Sequence, residues 1–162
     1  MPEVPPPVLG AIEIVLSVKD IPSMQSFYEQ TLGFRTHSSA SLETETRDPD
    51  GDPTIVFMTV AEVDSPLGRN NHPQMLVLID HRRHIHARRR LVGHDVSRST
   101  LNHLAFEIPL DSYDAHKEHL QGRGLNPMET VFEYMNARAL FFKDPEGNTL
   151  ELICHDPEIV PG

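Results

Sequence analysis

Three ionisable residues stand at places where a sheet can gather them: Glu13 in the alternating stretch Ala11 to Val18, His103 in Leu101 to Ile108, and Glu151 in Thr149 to Cys154. One imidazole and two carboxylates on one face make a ligand set for a divalent cation. The two anions offset the metal's charge, and oxygen-rich ligation suits Fe, Mn, Ni, Zn or Mg. Three protein ligands leave positions open for water or substrate, where a metal can polarise a carbonyl, stabilise an enediolate or chelate a catechol. Each residue also has a plainer reading. A strand histidine is often only hydrogen-bonded, a glutamate between leucines can face solvent on a one-sided sheet, and a glutamate near a strand start can simply be exposed.

The case for convergence rests on the elements. Ala11 to Val18 reads as a strand, followed by Asp20, Pro22 and a helical pattern with Met24, Phe27, Tyr28 and Leu32 on one face, stopped by Gly33. About ninety positions later the arrangement returns. Leu101 to Ile108 alternates, Asp111 or Ser112 can cap, and a weaker amphipathic stretch runs to Gly122 and Gly124. Without a gap, Ile14 aligns with Leu104, Leu16 with Phe106, Val18 with Ile108, and Glu13 with His103.

Further strands are expected at Phe34 to Glu43, Thr54 to Val60 and Met75 to Ile79, and again at Met128 to Tyr134, Ala137 to Phe142 and Thr149 to Cys154. Each half is thus strand, helix, strand, strand, strand: an α+β chain of two βαβββ modules whose pairing would enclose a concave surface. The period of two assigns the faces. Ile14, Leu16, Val18, Leu104, Phe106, Ile108, Leu150, Leu152 and Cys154 pack against helices. Glu13, His103, Glu107 and Glu151 share the helix-free side.

Composition restricts the partners. A net charge of -10 over 162 residues disfavours nucleic acid and anionic membranes and leaves small molecules. The lone Cys154 rules out an internal disulfide and fits a cytoplasmic setting, in an apolar strand rather than as a nucleophile. Residues 1–10, with four prolines and no apolar run, read as a flexible tail, 11–155 as one domain, and 156–162 as a C-terminal tail. Within the domain the first module covers about 11–80, a basic connector about 81–100, and the second module about 101–155. The connector opens with His81 to Arg90, three histidines and five arginines, read as a solvated segment; if functional, it would clamp a carboxylate or phosphate.

These residues carry a resemblance. The equivalent strand starts with Glu13 and His103, the stretch from Phe27-Tyr28 to Leu32-Gly33-Phe34, and the turn Asp144-Pro145-Glu146-Gly147-Asn148 leading to Glu151 resemble the vicinal oxygen chelate superfamily over Ala11 to His155. That superfamily includes glyoxalase I, bleomycin-resistance proteins, thiol transferases acting on fosfomycin, epimerases and extradiol dioxygenases. The resemblance implies two paired βαβββ modules forming a curved mixed sheet around a cavity, a divalent metal on Glu13, His103 and Glu151, and a homodimer. Glyoxalase-like members add a fourth glutamate ligand where this chain reads Gln74-Met75-Leu76-Val77-Leu78, with only Gln74 or His72 nearby. Extradiol dioxygenases usually have histidine at both first-strand ligand positions, where this chain has Glu13 at one, and carry a further, non-ligand histidine and a tyrosine where Tyr134 and Phe141 stand; phenylalanine has no hydroxyl to donate.

The implied activity is a metal-dependent enzyme on a small oxygenated substrate, isomerase-like or lyase-like, with Glu107 and Tyr134 as candidate base or acid. A ring-cleaving dioxygenase with an altered surround and a metal-free binding protein are the alternatives.

Overall fold

The computed structural model describes residues 11–61, 73–88 and 101–160. The expected tail at 1–10, His72, the loop from His94 to Ser99 and the ends of the connector and C-terminal tail lie outside them. The chain divides into two compact units, Met1–Gln25 with Gly33–Leu91 and Ser26–Leu32 with Val92–Gly162.

The first unit carries β1 (Glu13–Val18), the start of α1 (Ile21–Leu32), β2 (Arg35–Ala40), β3 (Ile55–Ala61), β4 (Gln74–Asp80) and the short α2 (Ile85–Arg88). Asp20 caps α1 by accepting the Ser23 amide at 3.0 Å, and Gly33 ends it at a φ of 70° that a residue with a β-carbon rarely adopts. The strand order is β1-β4-β3-β2, with β1 parallel to β4 and the remaining pairs antiparallel. Leu16, Val18, Val56, Met58, Leu76 and Leu78 are buried on one face. The opposite face is also apolar, around Ile55, Met75 and Val77.

The second unit repeats the plan with β5 (Leu104–Glu107), α3 (Tyr113–Gly122), β6 (Met128–Phe132), β7 (Ala137–Lys143) and β8 (Thr149–His155), in the order β5-β8-β7-β6. One face buries Leu104, Leu140, Phe142, Leu150, Leu152 and Cys154. The Tyr113 hydroxyl, at the start of α3, donates to the Ala139 carbonyl at 3.3 Å, and the Arg138 guanidinium lies 5.1 Å from its ring. α3 therefore packs on this greasy face. The chain is α+β, with two βαβββ modules as expected.

Five local expectations need correction. β6 stops at Phe132 rather than Tyr134, because Glu133–Met135 turn as a 3-10 helix into Asn136, whose left-handed φ of 49° cannot continue a strand. β2 ends at Ala40 and β5 starts only at Leu104. No side chain caps α3; the Ser112 hydroxyl instead donates to the Pro109 carbonyl at 2.7 Å. The described part of the basic connector is not simply solvated, since His84, Ile85 and Ala87 are buried. Asp80 draws that segment in by accepting the amides of Arg82 and Arg83 at 2.8 and 2.9 Å, while the Ile85 amide donates to the Leu42 carbonyl at 2.9 Å.

Candidate metal centre

The turn ahead of β8 is organised by Asp144, which is only 5% exposed. Its Oδ1 accepts the amides of Glu146 and Asn148 at 3.0 and 2.9 Å, and its Oδ2 accepts the Asn148 side-chain amide at 2.7 Å and the Tyr28 hydroxyl at 3.0 Å. Gly147 supplies the left-handed residue at φ 88°. Burial first, and then the neighbouring Asp144 charge, raise the Tyr28 hydroxyl far above its usual range, so it stays a donor. The chain thereby enters β8 at a fixed register, with Glu151 opposite Ala105 on one side and Phe141 on the other.

His103, just before β5, falls on the same face by parity. Its Nε2 lies 3.0 Å from Oε2 of Glu151, which is 4% exposed, and its Nδ1 lies 2.7 Å from the Asn102 side-chain oxygen. A neutral imidazole has one N–H and one lone pair, and here both nitrogens face acceptors. With Nδ1–H donating to Asn102, the Nε2 lone pair and the Glu151 carboxylate face one gap, an arrangement that suits a cation between them. The donor set thus fits a divalent metal, whose histidine ligands ordinarily donate their other N–H to an oxygen in this way. The Phe141 ring stands edge-on to His103 at 5.7 Å, Phe132 stands edge-on to Phe141, and Tyr134 to Phe132.

Glu13 begins β1 in the first unit and is exposed, with Met75 as its strand neighbour. Glu107 is exposed at the end of β5, opposite Ile153 and on the same face as Glu151. Tyr134 sits on the turn after β6 and is 76% exposed. Within the second unit, no third His, Cys, Asp or Glu among the described residues joins His103 and Glu151. Register also identifies the counterpart of Glu151 in the first module: Val15 pairs with Val77 as Ala105 pairs with Glu151, so the place is held by Val77, 1% exposed in its apolar cluster. Gln74 is elsewhere, directed at the Ala11 carbonyl. Sequence reasoning missed Asn102, whose adjacency to His103 was the available signal.

Comparison with known proteins agrees with this frame. No curated protein matches the sequence. Among solved structures, a mutant of the FosX fosfomycin resistance protein of Listeria monocytogenes, complexed with Mn(II) and 1S,2S-dihydroxypropylphosphonic acid, is similar at 17% identity, covering 93% of this chain and 95% of its own, with a TM-score of 0.61. Lactoylglutathione lyase from Agrobacterium tumefaciens is similar at 15% identity, covering 92% and 96%, with a TM-score of 0.59. A glyoxalase/bleomycin resistance protein/dioxygenase from Nocardioides is similar at 18% identity, covering 99% and 91%, also at 0.59. At these identities the likeness is one of fold. The sequence itself matches a family model over residues 10–152, and on that ground the chain belongs to the Glyoxalase/Bleomycin resistance protein/Dioxygenase superfamily.

Proposed function

We propose that this chain is a metal-dependent enzyme acting on a small oxygenated substrate by isomerase-like or lyase-like chemistry, with His103, Glu151 and Glu13 as ligands to a divalent cation. The observation that carries this reading is the 3.0 Å approach of His103 Nε2 to the buried Glu151 carboxylate, with Asn102 on the far nitrogen. A bound cation would supply Lewis acidity to vicinal oxygens of the substrate. Asn102 holds the imidazole tautomer, and Glu151, anchored by the Asp144 turn, presents its carboxylate from a shielded strand.

Glu107 is the better placed of the two proton-transfer candidates. It lies two residues along β5 from the level of Glu151, roughly 7 Å away on the same face, within reach of a substrate carbon held between them. Tyr134 ends the row of rings that starts at His103 and is the alternative acid. The absence of a hydroxyl on Phe141, the ring beside His103, weighs against ring cleavage of a catechol. A homodimer in the cytoplasm is part of this proposal; among the described residues no helix is long and apolar enough to cross a membrane.

The test is metal content after purification without chelator, beside His103→Ala. Stoichiometric Mn, Fe, Ni, Zn or Mg in the parent protein, lost in the variant, is expected. A parent protein free of metal that also takes up none on addition would sink the reading.

A further inference from the structure

A groove of about 420 Å³ opens at the end of the second unit's sheet, walled by Leu125, Met128, Phe141 and Phe142 and edged by Lys143 and Thr149. Its volume falls within the range of small-molecule sites, about 300–1,000 Å³. Phe141 belongs both to this groove and to the surroundings of His103, so the groove adjoins the candidate metal centre. Met128 on its wall is 62% exposed, so its side chain is open to a ligand in the groove.

The polar edge of the groove has one sign. Lys143 donates to the Thr149 hydroxyl at 2.5 Å, and among the described residues no carboxylate pairs with it. Register gives the spacing: Phe141 lies opposite Glu151 and Lys143 opposite Thr149, on the same face two residues further along β7, or roughly 7 Å from the Glu151 level.

We infer that this groove is a substrate-binding subsite for an apolar, preferably aromatic, arm ending in a carboxylate, with Lys143 as the residue that selects the anion. The ring lies between Met128 and Phe141, where an aromatic pair prefers an edge-on or offset arrangement, and the carboxylate meets the Lys143 ammonium and the Thr149 hydroxyl. The orientation of the whole substrate, with its vicinal oxygens at His103 and Glu151 about 7 Å from its carboxylate, rests on the metal-enzyme reading above. The subsite itself does not.

The experiment is a titration of chelator-treated protein, labelled at the methionine methyl groups, with 4-phenylbutyrate and with 4-phenylbutan-1-ol, in the parent and in Lys143→Met, which keeps the side-chain stem and removes the charge. The Met128 methyl resonance is expected to move with both probes. Lys143→Met is expected to weaken 4-phenylbutyrate by about tenfold and to leave the alcohol unchanged. No movement of Met128 with either probe overturns the subsite, and equal effects of Lys143→Met on both probes overturn the role of the charge. Because the protein is metal-free throughout, failure here leaves the metal reading standing, and a protein that binds the acid yet never takes up metal sinks only the latter.

Discussion

The hydroxyl of Tyr28 donates to Oδ2 of Asp144 across 3.0 Å and 116 residues of sequence, both groups being buried. The bond attaches the later part of α1 to the turn that delivers Glu151. Tyr28→Phe removes one donor from a charged acceptor that keeps three others, so we expect a loss of about 1–2 kcal/mol. Asp144→Ala strands the Glu146 and Asn148 amides and the Tyr28 hydroxyl together and should cost more, about 3 kcal/mol or above. Urea unfolding midpoints check both; equal stability of the two variants would contradict the placement of Asp144 at the centre of the turn.

Asn102 offers a test of the centre that leaves both ligands in place. Asn102→Leu withdraws the oxygen that holds Nδ1–H, freeing the ring to rotate and to put its proton on Nε2. A drop in divalent-metal affinity of about tenfold to a hundredfold is expected. Asn102→Asp keeps an acceptor at the same place and should retain most of the affinity. Competition with a chromogenic chelator measures both, and indifference to Asn102→Leu would show that the oxygen does not set the tautomer.

The strand pattern carried much of this. Parity put His103 and Glu151 on one face because a side chain's face in a strand is fixed by counting, and repetition of the module matched the first strands of the two halves; the register between paired strands came only with the structure. The Asp20 cap and the Gly33 stop of α1 were likewise legible, since each is a local rule about one residue. What parity could not reach lies outside strands. Asn102 acts from the segment before β5, where no period fixes direction. The end of β6 depends on Asn136 adopting a left-handed conformation, for which asparagine is suited but not obliged. The burial of His84 inside a run of arginines follows from Asp80 gathering amides, a tertiary effect that charge composition conceals.

Val77 provides the converse test of the site. It holds in the first module the position that Glu151 holds in the second, yet it is packed with Ile55 and Met75. A carboxylate there would be buried among apolar side chains, so Val77→Glu should lose about 3 kcal/mol or more, and more than Val77→Leu, whose one extra methylene should cost about 1–3 kcal/mol. Urea midpoints again decide. A glutamate variant as stable as the parent would mean that the pocket tolerates charge and that the first module retains a latent ligand position.

His84 is 2% exposed, with its Nδ1 accepting the His86 amide at 3.2 Å. Among the described residues its Nε2 has no partner. Burial first, then the nearby His86, lower its proton affinity, against a smaller opposing pull from Asp80. The folded chain therefore keeps this ring neutral to lower pH than the unfolded chain does. Above the unfolded value of about 6.5 neither state binds the proton, and the full stability is present. As pH falls below that value the unfolded chain gains a proton that the folded chain refuses, and stability declines until the folded value is passed. His116 is shifted the same way by burial and by His119, so it contributes a second, separate part of the slope. Melting temperatures between about pH 7.5 and 5 should therefore fall in the parent, on the order of a few degrees. They should fall less steeply in His84→Asn, whose side-chain oxygen can still accept the His86 amide. An unchanged slope in that variant would place the acid sensitivity elsewhere.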